Sequence, residues 1–557
     1  AVAGAVRFIT GVPKLDKIEG KVAADVSFID GGDSNEKISG VLNLPLVTDK
    51  LAVRIAATGE QGGGWIDQPA AGIEDGNNQD ITNVRVKMRW LPTENLTLDL
   101  TAASYHLTSE LGLDYETADH RVNMPISDDR RIRRRLDEYG LYSLAGTYDL
   151  GFAEIIATTS YIDYYREYTL PYFAGEGTYS YANGSQGIST YDDQSYQSSQ
   201  EVRLVSKGDS AFKYTAGAYH RKVKSDYYGL TDGLYDGFLF TNSEYIEKYQ
   251  SDSWSFFADG SIKVGERGEI GAGVRSFRDR VTSFGGFPLA TYQDTFTSTD
   301  PRVYGSYALT DNVKLYANVA KGFRSGGFNL FPAVAYGPEK AINYEIGSKG
   351  VIPGARLSYE VAAFFTDYDD MLRRGVVQRP GGAFQNLTSN IGRAEIKGLE
   401  VGFGWRPADS LMLSVSGTYL DGEVVEVKAV NRPGEITSAN QVGDKVDYVP
   451  KFSYTFAADY SFAWAAGVSG FLHLDLNHRD EVYYTDAFLY VPGAVEQSSD
   501  SFTLLGARIG ATWQQISVEL FGNNLTNENK LVDPFDIWSQ ANRTKPRTFG
   551  VKTTYSF

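Results

Sequence analysis

The feature that most restricts this chain is a two-residue rhythm that recurs along it and is still running at its last residue. In the closing stretch "RTFGVKTTYSF" one parity carries Phe549, Val551, Thr553, Tyr555 and Phe557, and the other carries Thr548, Gly550, Lys552, Thr554 and Ser556. A repeat of two sends successive side chains to opposite faces, so such a run is a strand with one apolar and one polar side. The same alternation sets Leu96, Leu98 and Leu100 against Thr97, Asp99 and Thr101, and Val313, Leu315 and Val319 against Lys314, Tyr316 and Asn318. It returns at Leu411, Leu413 and Val415 and at Leu472, Leu474 and Leu476. One such run would also suit a soluble sheet edge. Helical spacing of apolar residues is sustained nowhere.

Marking every run predicts about 22 strands of about 10 to 16 residues, long for a globular sheet and suited to a tilted membrane strand. An even count is what closed bacterial barrels require. The connections alternate in length. Tight links such as Thr310 to Asn312, Ser206 to Ser210, Val351 to Gly354 and Arg406 to Ser410 are separated by long ones: 59–79, 108–134, 167–192, 224–242, 323–340, 422–448, 482–499 and 524–545. A sandwich or propeller has no reason to keep this rule along the chain, whereas a transmembrane antiparallel up-and-down β-barrel, with short periplasmic turns and long extracellular loops, does. If the last strand pairs with the first, Phe557 ends the chain at the seam, in the aromatic girdle.

Composition agrees. Among 557 residues tyrosine (37) outnumbers phenylalanine (30), which suits rings seated in lipid with their hydroxyls in water. Cysteine is absent, which excludes disulfides, thiolate metal sites and a cysteine nucleophile. A net charge of -17 opposes a nucleic-acid partner. No run approaches the roughly 18 apolar residues of a membrane helix, but a barrel hides its apolar face in alternation. The start, "AVAGAVRFIT", lacks the basic segment of a signal peptide and reads as a chain already cut.

Several segments, in order, resemble the TonB-dependent outer-membrane receptors, and the likeness spans essentially the whole chain. They are "GAVRFIT" with "PKLDKIEGKV", then "AKGFRSGGFN", "GPEKAINYEIGSKG", "IGRAEIKGLEVGF", "DYVPKFSYTFAADY" and "FGNNLTNE". The C-terminal Phe557 is similar to the signal that such barrels present to their assembly machinery. The resemblance implies a receptor that captures a scarce nutrient, often an iron-siderophore complex, at its outer loops and passes it inward when the inner-membrane TonB protein pulls on a plug domain. It also implies a setting of outer-membrane lipid and lipopolysaccharide in a Gram-negative bacterium. Residues 1–17 read as the end of the plug and a linker, and 18–557 as the barrel. The plug and the N-terminal box gripped by TonB are expected upstream, by truncation rather than as a separate chain. A plugless passive channel and a structural or adhesin role are the rival classes.

Candidate sites are few. No GxSxG, GxxxxGK[ST] or HExxH pattern occurs, no carboxylate pair is placed by spacing, and no cofactor or enzymatic activity is expected. His473 and His478 differ by an odd number and so face opposite sides of one strand, unable to share a metal. Asp367, Asp369 and Asp370 could meet a cation, but solvated loop acids are the simpler reading. In "AKGFRSGGFN", Gly322, Gly326 and Gly327 would let the backbone fold inward. Arg324 and Asn329 there, with Arg373 and Arg374 of "DYDDMLRR", are candidate ligand contacts. So are Tyr172, Tyr179 and Tyr235 from two tyrosine-rich segments, whose rings suit aromatic, sugar or siderophore ligands; packing of one loop on another is the alternative. In "DDRRIRRR", Arg130, Arg131 and Arg133 could clamp an anionic ligand or lipopolysaccharide phosphates, or be paired with Asp128, Asp129, Asp137 and Glu138.

Overall fold

The computed structural model describes residues 8–67, 69, 72–110, 116–121, 135–173, 186–208, 210–235, 238–286, 288–330, 333–378, 384–428, 441–484, 497–533 and 542–557. In chain order the strands are β1 (Glu19–Ile29), β2 (Ser34–Val47), β3 (Leu51–Gly62), β4 (Gln79–Thr93), β5 (Leu96–Ser109), β6 (Arg135–Asp149) and β7 (Ala153–Phe173). Next come β8 (Gln186–Ser206), β9 (Phe212–Tyr235), β10 (Phe238–Val264), β11 (Gly268–Gly285), β12 (Ala290–Thr310), β13 (Val313–Arg324), the short hairpin β14 (Gly327–Leu330) and β15 (Ala333–Tyr336), β16 (Glu339–Ile352) and β17 (Leu357–Asp369). A second hairpin, β18 (Leu372–Gln378) and β19 (Phe384–Asn390), precedes β20 (Gly392–Ala408), β21 (Leu411–Val427), β22 (Phe452–Ala465) and β23 (Val468–Arg479). The small pair β24 (Tyr483–Tyr484) and β25 (Gln497–Ser498) leads to β26 (Phe502–Trp513), β27 (Ile516–Asn523) and β28 (Thr548–Ser556).

Leaving out the three small hairpins, 22 strands form one antiparallel sheet in which each pairs with the next and β28 pairs with β1. At that seam Val22, Val26 and Phe28 lie opposite Tyr555, Val551 and Phe549, all exposed on the outside, while Asp25 lies opposite Lys552 on the inside. Water within and lipid without give each strand its two faces. Gly20 completes the closure: it exchanges backbone hydrogen bonds of 2.8 and 3.0 Å with Phe557, and a Cβ at residue 20 would stand 2.1 Å from the terminal ring. The ring lies flat over the one residue type that leaves room for it.

The ten turns at the rim that holds both ends of the barrel sheet are two to five residues long. Opposite them the connections vary. The link over 370–391 is long, in keeping with the alternation, while those over 30–33 and 286–289 are short and depart from it. Strands expected at about 10 to 16 residues run to 21 in β7, β8 and β12, 24 in β9 and 27 in β10. Much of the segments 167–192 and 224–242, expected as loops, is paired strand: only 174–185 and 236–237 separate β7 from β8 and β9 from β10. Above the lipid both faces of a strand meet water, so the hydropathy contrast fades while the backbone ladder continues.

Residues 8–18 enter along the inner wall. Lys87 Nζ donates to Thr10 Oγ1 at 3.1 Å, the Asn43 amide holds the carbonyls of Lys14 and Lys17, and Arg54 reaches Glu19 at 3.0 Å.

Candidate ligand-binding vestibule

Where β5 to β10 rise above the lipid, their inward parity is tyrosine-rich. Tyr105 stacks on Tyr139 at 5.2 Å between ring centres, and Tyr168, Tyr191 and Tyr227 form a continuing stack at 5.0 and 5.6 Å that ends in an edge contact with Tyr245 at 5.7 Å. The rings come from four consecutive strands, so register, not sequence proximity, lines them up. Burial, with the nearby Tyr168 hydroxyl next in effect, pushes the Tyr227 phenol well above the ordinary tyrosine range. The Tyr227 ring therefore stays neutral at any physiological pH.

Between the two stacks lies the buried carboxylate of Asp137. It accepts from Arg166 Nε and Arg135 Nε, both at 2.6 Å, and from Tyr164 Oη at 2.8 Å. Burial alone would raise its pKa, but these donors outweigh it and hold the carboxyl below the usual range. The group fixes one wall of the vestibule; Asp193, beside Arg166 on β8, is a second inward carboxylate, so the two guanidiniums and two carboxylates balance there.

The floor on the other side is built by the two inner hairpins. After Arg324 the chain turns in at Ser325, whose hydroxyl, with that of Ser251, donates to the buried Asp279 at 2.8 and 2.7 Å. A Cβ on Gly326 would lie 2.4 Å from the Tyr336 carbonyl oxygen, so this turn needs a glycine there, while one on Gly327 would meet the hydroxyl end of the Tyr336 side chain at 2.4 Å. Gly322 stays in the wall, paired with Ala341, and does not open it. Glu339, 3% exposed, accepts from Arg324 Nη2 at 2.9 Å and from the Leu372 backbone amide at 2.6 Å, which ties β18 to β16.

Arg324, Arg373 and Asn329 are thus brought into one neighbourhood. The nearly buried Arg373 donates to Asp447 at 2.7 Å. The Asn329 amide donates to the carbonyls of Val334 and Thr388 and accepts from the Thr388 amide at 2.7 Å, lacing one hairpin to the other. Arg374 follows on β18. Tyr172 and Tyr235 lie near the upper ends of β7 and β9. Tyr179, Arg130, Arg131 and Arg133 lie outside the described residues. Asp367 faces Arg393 at 2.6 Å and Asp370 pairs with Lys428, so these acids are held apart rather than gathered. His473 pairs with Asp459 at 2.7 Å on the inner face, while His478 stacks on Tyr454 on the outer one.

Reading the residues alone passed over Tyr191, Tyr245, Asp137 and Glu339 as site members. The available signal is the inward parity of the tyrosines at 164, 168, 191, 227 and 245, of which 168, 191 and 227 fall in segments expected as loops. A cleft of 740 Å³ at the tops of β3, β4 and β5 is lined by Ser34, Gln61, Gln79, Asp80, Thr108 and Glu110 among others. Its wall is polar and ringless, so the tyrosine face is the better candidate for recognition.

The family model "TonB dependent receptor-like, beta-barrel" matches residues 62–525. The pesticin receptor of Yersinia pestis is 28% identical over 273 residues, which is 46% of this chain and 37% of that protein. The metal-pseudopaline receptor of Pseudomonas aeruginosa is 27% identical over 189 residues, 34% of this chain and 24% of that one. The chain thus matches 37% and 24% of these two relatives' length. Among solved structures, the ferric yersiniabactin uptake receptor of Yersinia pestis superposes with a TM-score of 0.80 at 18% identity, over 98% of this chain and 81% of that one. The ferric citrate transporter in its unliganded form gives 0.77 at 16%, over 100% and 81%. These relatives are receptors and transporters rather than enzymes. With its sheet closed, its apolar face turned outward and this family's model matched across most of its length, the chain is a barrel of the Gram-negative outer membrane and belongs to the TonB-dependent receptor family.

Proposed function

We propose that this chain forms the wall and outer vestibule of a receptor that takes up a metal chelate of siderophore type carrying aromatic groups, with energy from TonB acting through segments that precede the barrel. The observation that carries the reading is the inward stack of Tyr168, Tyr191, Tyr227 and Tyr245, beside the guanidiniums of Arg135 and Arg166. Flat rings give large contact area at small entropy cost, and guanidinium groups can donate in pairs to the oxygens of a chelate. Relatives named for ferric yersiniabactin and metal-pseudopaline uptake support the class. The role is binding and transport, not catalysis. Phe557 and the strand before it serve recognition by the assembly machinery, and nucleic acid is no partner.

The test is fluorescence quenching of the purified protein by ferric chelates with and without aryl groups. Aryl chelates should bind more tightly. Replacing Tyr191 or Tyr227 with Ala should each weaken them about tenfold, since an aromatic pair is worth about 0.5–1.5 kcal/mol beyond its area. Equal affinity for both chelate classes, unchanged in either variant, would remove the tyrosine face from recognition. Large unselective conductance in planar bilayers, without saturable binding, would instead favour the passive channel.

A further inference from the structure

The upper half of β12 is a sheet edge that the uptake reading does not use. From its lower end the outward parity of β12 runs through the exposed apolar Leu309, Tyr307 and Val303 to Pro301, and then through Thr299, Thr297, Thr295, Gln293 and Thr291. The apolar band therefore ends near Val303. The ladder between β12 and β13 stops at the same height: its last pair is Arg302 with Ala320, and the next residues up are Pro301 and Lys321. Proline has no N–H to give that rung. Above it β13, held by β16 alone, turns inward at Ser325. Inside hydrocarbon such an open edge is excluded, so the split begins where water reaches the backbone.

Residues 291–299 keep their ladder with β11 on one side, and among the described residues no strand pairs with them on the other. Ala308 donates toward the β11 side, to the Arg267 carbonyl at 2.8 Å, and the register has no slip, so even-numbered residues turn their backbone groups to β11 and odd-numbered ones turn theirs away. The Lys321 ammonium agrees with this direction, since it donates to the Thr299 carbonyl at 2.8 Å. Thr291, Gln293, Thr295 and Thr297 thus present N–H and carbonyl groups along an exposed edge, with only the Thr295 N–H engaged, by the Asp294 carboxylate at 2.7 Å. The overhang of β21 is treated differently. There the segment 420–427 rises past the last β22 pair, Tyr419 with Phe452, and the chain folds back over it. Val424 donates to Asp444 and receives from Gly443, both at 2.9 Å, and Val446 donates to Gly422 at 3.2 Å. One overhang is capped from within the chain, and the other stands open.

We propose that this edge receives an extended segment of a partner protein, which joins the barrel sheet as an antiparallel strand beside 291–299. Another peptide backbone is what matches N–H and carbonyl groups repeating at about 6.7 Å, the spacing of alternate strand residues; lipid chains and sugars carry no such series. A second copy of this chain does not fit. Two barrels in one membrane are related by an axis along its normal, and edges tilted by about 40° would then cross at about 80°, too steeply to share a ladder. The residues favour addition as well: threonine suits a strand, and 291–299 holds neither lysine nor proline, the usual guards of an edge. The edge also defines its partner. Hydroxyl or β-branched residues belong on the outward parity beside the threonines, and a basic residue on the inward parity opposite Asp294, the one charge in 291–299.

The probe is a synthetic peptide of the length of 291–299, alternating valine and threonine around a central lysine and N-methylated along one edge so that it cannot pair with itself. The control carries the same side chains and is N-methylated along both edges. Residue-resolved hydrogen exchange of the detergent-purified chain reads the site. With the probe, the amides of Thr291, Gln293 and Thr297 should slow about tenfold or more, while those of Tyr292, Phe296 and Ser298, already turned to β11, stay unchanged. The control peptide should protect none of them. Thr297→Pro removes one edge donor and leaves the β11 ladder intact, so it should weaken the probe about tenfold or more, with heat-modifiable migration on gels showing that the barrel has closed. Absence of protection by the probe overturns the proposal, as does equal protection by the control or equal binding by Thr297→Pro. Exchange of Thr291, Gln293 and Thr297 as slow in the protein alone as that of Tyr292 and Phe296 would show that a segment of this chain covers the edge, and overturns it too.

Discussion

Replacing Glu339 with Ala tests whether one buried carboxylate holds the vestibule floor in place. Its side chain receives the Leu372 amide at 2.6 Å inside the protein and Arg324, which is half exposed, at 2.9 Å. A hydrogen bond to a charged group contributes about 1.5–3 kcal/mol, and the half-exposed ion pair about 0.5–1. The Arg324 pair joins two wall strands, so only the Leu372 bond bears on the hairpin; losing it lowers the opening free energy of β18–β19 by about 1.5–3 kcal/mol, or about 12- to 160-fold in its opening equilibrium. Other ties act in parallel, namely Arg373 with Asp447 and Asn329 with Thr388, so the hairpin loosens without leaving the lumen. Amide hydrogen exchange reads this directly. Residues Leu372–Gln378 and Phe384–Asn390 should exchange faster in Glu339→Ala, with Glu339→Gln intermediate because its oxygen still accepts but carries no charge. The wall strands β16 and β17 should keep wild-type protection. If the hairpin exchanges within threefold of wild type, the carboxylate is not its anchor and the account of the floor is wrong.

Gly20→Val should weaken barrel closure by about 1–3 kcal/mol, the usual cost of overpacking, because a side chain there meets the Phe557 ring; the unfolded form should appear at lower temperature on semi-native gels, and deleting Phe557 in the same chain should relieve the clash. Gly326→Ala should free the β14–β15 turn, since its new methyl would press on the Tyr336 carbonyl; faster exchange confined to Gly327–Leu330 and Ala333–Tyr336 is the expected result. Asp75, in the outer link between β3 and β4, has its pKa raised by burial first and then by the charges of Asp33, Asp67 and Glu74. A carboxyl whose folded pKa lies above its unfolded value, about 3.9, stabilises its surroundings fully below that value and loses the contribution as pH rises through the folded one. The link should therefore tighten on acidification through that window. Asp75→Asn, which also tolerates the left-handed backbone at φ 51°, should be tight at neutral pH and flat across the range. Intrinsic-rate-corrected exchange of Gly64 and Trp65 checks the sign.

What the amino-acid order determined by itself is the class of the molecule. Alternation such as Phe549, Val551 and Tyr555 against Lys552 and Thr554 records two solvents, and the short turns at every second connection record two rims. Both signals are local, carried by neighbours one and two residues apart, so they survive without knowledge of the fold. The vestibule is not local. Tyr168, Tyr191, Tyr227 and Tyr245 meet because four strands align in one register, and Glu339 meets Leu372 because a hairpin folds back inside the wall. Above the lipid, water on both faces erases the hydropathy contrast, which is why the upper ends of β7 to β10, over 167–192 and 224–242, read as loops and the row through Tyr191 is not legible in the sequence. The open edge of β12 is no more local: Pro301 stands in the sequence, but that β13 parts from β12 there, while 443–446 covers the overhang of β21, is decided by cross-strand pairing.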